Sequence, residues 1–352
     1  MGDPAVNHPM RSSRLGWPDV LRCLAAVGVV TLHCAGATLT AEAPASTRFF
    51  ILNLLDGGTR WTVPIFIMLS GMFLLDPDKP MPTKKWLGHV GRLALTLLLW
   101  SCVYALWDAR SAHMGLELVL EALISLVTGR LHYHLWFLPM LLGLYLLVPL
   151  FRALVKGASR RTLWYGVGLW GVVAVCLPTL YTAFPGTSVQ TWAGMLSLYT
   201  LSGYTGYFFL GYLLKTCVIR PWAEKALYLL GAAGLLLTCG GTRLLSLSAG
   251  SFQDLFYGYL TPNVALTAAA LFLLCRRLDL GKRPVWGKLS ALTLGLYLLH
   301  PLFIELAAHW GLPDPAWNVA WCIPLQILAV CAISVCLSWL LRHIPKVGKF
   351  IC

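Results

Sequence analysis

Three ionisable residues stand inside one apolar run. Asp19, Arg22 and His33 lie within WPDVLRCLAAVGVVTLHCAGA, residues 17–37. The run is long enough to cross a bilayer. A cation inside a spanning helix costs about 2.5–3.5 kcal/mol at the centre on insertion scales, so it usually has a partner and a purpose. Arg22 and His33 are eleven positions apart. At about 100° per residue that is about 20° past three full turns, so both share one face. The rise is about 16 Å, roughly half of the hydrocarbon thickness. One face thus sets a guanidinium at one depth and an imidazole at another. The first attracts anions such as phosphate. The second can act as a general base or a nucleophile. Asp19 is an i,i+3 neighbour of Arg22 and completes the candidate catalytic set. The plainer alternative is an interior polar cluster that only holds helices together.

Further polar residues mark other segments as candidates for substrate binding. In TRWTVPIFIMLSGMFLL (59–75), Arg60 precedes a helix in which Pro64 lacks a donor and Ser70-Gly71 allows close contact. In HYHLWFLPMLLGLYLLVPLF (132–151), His134 and Trp136 stand near one end. His132 and His134 alternate, and two histidines without a third ligand do not make a metal site, so none is expected. Gly203, Gly206 and Gly211 in GYTGYFFLGYLL suit close helix packing. In LSALTLGLYLLHPLFIEL (289–306), Tyr297 and His300 share a face and Glu305 follows further out. His300 falls at a depth similar to His33, so the two faces are expected to line one cavity.

These residues need helices in a bilayer to position them. Of the 352 residues, 58% are hydrophobic and only 12% charged. The mean hydropathy is +0.72. Soluble domains carry roughly 25% charged residues. The composition therefore predicts an all-α polytopic membrane protein forming a single domain over 1–352. Ten apolar spans are expected at about 17–37, 49–75, 86–107, 134–155, 162–181, 199–217, 224–246, 255–276, 287–308 and 317–342. Between them, 115–129 reads as a short helix too short to span. The net charge of +13 excludes nothing about the membrane and does not call for nucleic acid. With the N-terminus inside, 20 of the 27 Lys and Arg fall in inner segments, which predicts that the short termini 1–16 and 343–352 are both cytoplasmic. Arg22 then lies toward the cytoplasm and His33 toward the outside. The polar start, with Arg22 inside the apolar run, does not fit a cleavable signal. Most of the eleven cysteines lie in apolar spans, so a disulfide framework is not expected.

The Asp-x2-Arg-x10-His pattern of 19–33, V-P-x-F then S-G at 63–71, H-L-W-F-L at 134–138, the glycine-rich 203–214 and G-x-Y-L-x-H-P at 295–301 together resemble acyltransferase family 3. The resemblance covers nearly the whole chain. It implies a ten-helix core that takes an acyl group, usually acetyl, from cytoplasmic acyl-coenzyme A and passes it to a hydroxyl of an extracytoplasmic envelope glycan or lipid-linked acceptor. It implies acyl-coenzyme A as a donor substrate, no permanently bound cofactor, and residence in the cell inner or plasma membrane. Relatives often carry a fused soluble domain. This chain reads as stand-alone, finishing the transfer itself or through a separate extracytoplasmic transferase. The rival class is a membrane transporter of an amino acid or glycan intermediate, because intramembrane charges also mark transport paths. A third reading is a membrane module serving a separately encoded enzyme.

Overall fold

The structure is a computed structural model that describes residues 15–110, 115–185, 203–281, 283–314, 316–344 and 348. The terminal segment 1–14, residues 199–202 of the sixth expected span, and Lys282, Lys346 and Lys349 lie outside the described residues. Among the described residues the secondary structure is helical, with no strand.

The helices are α1 (Trp17–Leu39), α2 (Thr47–Gly57), α3 (Thr62–Leu74), α4 (Thr83–Ala109), α5 (Gly115–Val127), α6 (Phe137–Leu146) and α7 (Val148–Gly157). Then come α8 (Arg160–Ala183), α9 (Thr205–Thr216), α10 (Pro221–Ala249), α11 (Pro262–Leu278), α12 (Pro284–Ser290), α13 (Thr293–His309) and α14 (Val319–Arg342). Five of them, α1, α4, α8, α10 and α14, are long and apolar enough to cross a membrane. The pairs α6–α7 and α12–α13 each bend by 51° and bring the candidates to seven if each pair is one span. The expected spans 49–75, 199–217 and 255–276 do not appear as single long helices. The first is α2 and α3, joined through Gly58 to Trp61, where the Thr59 hydroxyl donates to Leu55 O and the Trp61 indole to Gly58 O. The short helix expected at 115–129 is present as α5.

α1 is the axis of the bundle. It packs against α2, α3, α11, α12, α13 and α14, and it is the most buried of the five long helices. α3 and α9 approach backbone to backbone. A Cβ on Gly71 would collide with the Phe208 carbonyl, and one on Gly211 with the Met68 carbonyl. Small residues at such crossings let helices associate where no hydrophobic drive separates protein from lipid.

Prolines free carbonyls that side chains then satisfy. Pro149 has no N–H for Tyr145 O, and the Trp86 indole donates to that oxygen at 2.8 Å. Pro301 likewise leaves Tyr297 O without its helical donor, and His300 Nδ1 is 2.8 Å away. The second case fixes the chemistry of the site.

Candidate active site

A cavity of about 460 Å³ runs beside α1. Arg22 lines one end, with His89 and Arg92 of α4 and Arg342 of α14. His33, His134, Trp136 and Tyr297 line the other. Val29, Leu69, Leu93 and Leu141 form apolar wall between them. α1 supplies both ends because its 3.6-residue period returns position 33 to the face of position 22.

The Arg22 guanidinium donates to Ser290 Oγ at 3.0 Å and stands 3.7 Å from Asp19 Oδ1. Arg342 donates to Ala291 O, beside Ser290, so α14 delivers a second guanidinium to the same end. Asp19 itself is buried behind Arg22 and does not line the cavity.

At the far end His33 Nδ1 lies 2.7 Å from His300 Nε2. The hydrogen positions follow from the partners. His300 Nδ1 faces the carbonyls of Tyr297 at 2.8 Å and Leu296 at 3.2 Å, which only accept, so Nδ1 carries the proton. Neutral His300 then has a bare Nε2, and His33 Nδ1–H must donate to it. His33 is left with a bare Nε2. A nucleophile or base needs that lone pair.

His300 therefore sits behind His33, fully buried, rather than on the cavity wall. Tyr297 is on the wall, and its hydroxyl donates to His134 O at 2.5 Å, tying α13 to the segment before α6. Trp136 stacks on Tyr259 with centroids 5.7 Å apart. Glu305 does not line the cavity. It accepts from His132 Nε2 at 2.9 Å and from the Trp107 indole at 2.7 Å. Arg60 is held elsewhere. It pairs with Asp56 Oδ2 at 2.6 Å and lies over the Tyr257 ring, lining a neighbouring pocket that shares Tyr259 with the His33 cavity.

The sequence alone did not single out Arg92, Arg342 or His132 as part of a site. Arg92 carried a signal, as a cation within an apolar helix. Arg342 read as a topological charge at a helix end, and only packing brings it to Arg22. The expectation of no metal site rested on two histidines without a third ligand. The fold does supply further donors, since Asp108, His132 and Glu305 offer ligand atoms within 4.8 Å of one another. His132 Nε2 is already engaged by Glu305 there.

The family model described as an acyltransferase domain matches residues 15–343, every element that builds this cavity. The chain belongs to acyltransferase family 3. It is a multi-pass membrane acyltransferase. No curated protein and no solved structure matches the chain.

Proposed function

We propose that this acyltransferase moves an acyl group, most simply acetyl, from cytoplasmic acyl-coenzyme A to a hydroxyl of an extracytoplasmic envelope glycan or lipid-linked acceptor. The observation that carries the reading is one cavity with guanidinium groups at one end and the bare Nε2 of His33 at the other. Arg22, Arg92 and Arg342 suit the phosphates of coenzyme A, which guanidinium groups bind through charge-assisted hydrogen bonds. The apolar wall between suits the thioester arm and excludes water. In the orientation favoured by loop charge, with ten spans and both termini cytoplasmic, the arginine end faces the cytoplasm of the inner or plasma membrane.

In the first half-reaction His33 Nε2 attacks the acyl carbonyl carbon. The carbon–sulfur bond breaks, the thiolate leaves with the electron pair, and it takes a proton from water at the arginine end. The Nδ1 proton of His33 passes to His300 Nε2, which leaves a neutral acyl-imidazole. In the second half-reaction the acceptor hydroxyl gives its proton to a base at this end of the cavity, and its oxygen forms the bond to the same carbon. The carbon–nitrogen bond breaks, its electron pair stays on the His33 ring, and Nδ1 recovers its proton from His300. Asp19 orients Arg22 within the donor site. Trp136 and Tyr297 shape the acceptor end, and Arg60 stands beside its approach. No nucleic acid and no resident cofactor enters this scheme, and a separate extracytoplasmic transferase can take the acyl group onward.

The test is release of free thiol from acetyl-coenzyme A by the reconstituted protein, with transfer of labelled acetyl to de-esterified envelope polysaccharide. Both should require His33. Thiol release undiminished in His33→Ala would remove His33 from the reaction.

A further inference from the structure

When His33 Nε2 carries the acyl group it cannot also take the proton of the incoming hydroxyl. A second base must stand at the same end of the cavity. Among the residues lining it there, His134 is the second imidazole. Its Nε2 is buried and has no hydrogen-bond partner. Buried polar atoms are ordinarily bonded, so an unpaired nitrogen on a side chain that lines the cavity points to a ligand that supplies the bond.

The protons of the neighbouring groups decide what that nitrogen offers. Glu305 and Asp108 present oxygens to His132 Nε2 at 2.9 Å and 3.5 Å. Ionised carboxylates only accept, so His132 Nε2 carries a hydrogen. Neutral His132 then has a bare Nδ1, which lies 3.0 Å from His134 Nδ1. His134 Nδ1–H donates across that gap, and His134 Nε2 is left as a lone pair. Tyr104 clamps both rings, with centroids 4.3 Å from His132 and 4.6 Å from His134, and its own hydroxyl is anchored on Leu298 O. The order carboxylate–imidazole–imidazole runs from the mouth of the protein into the cavity.

We infer that His134 is the base that takes the acceptor's hydroxyl proton, with His132 and Glu305 as positioning residues that hold its tautomer and balance its charge. The inference rests on the reading of His33 as acyl carrier. In the step, the acceptor O–H bond breaks and its proton goes to His134 Nε2. The oxygen's electron pair forms the new bond to the acyl carbon, and the bond to His33 Nε2 breaks. His134 becomes an imidazolium whose charge is shared through His132 with Glu305. It then gives the proton up to water at the Glu305 mouth. The acceptor class is a neutral hydroxyl compound, since a chain that removes a proton is redundant for an acceptor already ionised.

The two half-reactions separate the assignments. Exchange of labelled coenzyme A into acetyl-coenzyme A without acceptor reads the His33 step. Transfer to de-esterified envelope polysaccharide reads both steps. In reconstituted full-length protein, His134→Gln should keep exchange within about twofold and lower transfer by about 100-fold. Glu305→Gln, at the half-exposed mouth, guards against a folding failure of the first variant. It should keep exchange and shift the rise of transfer rate with pH to lower pH, because a lost carboxylate lowers the proton affinity of the base. The other groups facing the chain are Asp108 and Arg110 at the mouth, Tyr104 and Tyr133 against the rings, and His33 and His300 behind. They are unchanged in both variants. Wild-type transfer by His134→Gln, equal loss of both activities, or an unmoved pH profile in Glu305→Gln would each overturn the assignment. Absence of exchange in the wild type would instead defeat the carrier reading of His33, and this assignment would fall with it.

Discussion

His33 Nδ1 donates to His300 Nε2 across 2.7 Å, and Pro301 is what sets the direction of that bond. The proline withholds an N–H from Tyr297 O, His300 Nδ1–H supplies the missing donor, and the remaining nitrogen of His300 can only accept. His300→Ala should therefore lower the turnover of acyl transfer by about 10–100-fold while leaving the donor Michaelis constant within about twofold. His300→Gln should recover only a small part of that loss, because its amide can donate to Tyr297 O and accept a hydrogen bond from His33 but cannot take the His33 proton. Steady-state kinetics of both variants decide it. Full recovery in His300→Gln, or undiminished turnover in His300→Ala, would remove His300 from the proton transfer.

His33→Ala should abolish transfer, by about 100-fold or more, with the protein still inserted and folded. The ring is partly exposed to the cavity and its loss leaves the α1 core positions Ala26, Val30 and Ala35 in place. Labelled acetyl transfer and size-exclusion behaviour in detergent measure the two parts.

Arg22→Lys should weaken donor use. Lysine keeps the charge but loses the planar fork that can engage Ser290 and a phosphate together. A donor Michaelis constant raised by about tenfold is expected, with a smaller change in turnover. The same measurement on Arg342→Lys shows whether α14 shares the load.

Gly71→Ala should destabilise the bundle by about 1–3 kcal/mol, because the new Cβ meets the Phe208 carbonyl and the backbones of α3 and α9 must separate. Gly143→Ala, with open space around its would-be Cβ, is the control. Thermal unfolding in detergent should distinguish them.

Between α3 and α4, Asp76 binds Lys215 Nζ at 2.8 Å. Burial pushes its carboxyl up, but the Lys215 hydrogen bond and charge, the Asp78 N–H and Lys79 outweigh it and hold it below the ordinary value of 3.8. A depressed folded value means that the stabilisation is present above pH about 4 and lost as pH falls through the folded value. Asp76→Asn should thus cost about 1 kcal/mol at neutral pH, and its difference from wild type should vanish in acid. Melting curves at both pH values check the sign.

The sequence by itself determined the class of the molecule, because hydropathy and charge placement are properties of the chain before it folds. It also determined that Arg22 and His33 share a face, since a helix period is local, and that Gly71 and Gly211 belong at close crossings. It did not determine which long apolar runs stay straight. Residues 49–75 read as one span but break at Gly58–Trp61, where hydrogen bonds of the turn replace those of a helix. Nor did it determine what each polar residue meets. Arg60 matched the pattern of a site residue, yet Asp56 one turn earlier draws it into the neighbouring pocket. Arg342 read as a loop charge and ends beside Arg22. The pairing of His33 with His300 spans 267 positions, and that of Trp107 with Glu305 spans 198. Tautomers depend on such partners, because a ring nitrogen is donor or acceptor only by virtue of what faces the other one. Spacing set the imidazoles at one depth, but only the packing of α1, α4 and α13 decided which nitrogen each presents to the cavity.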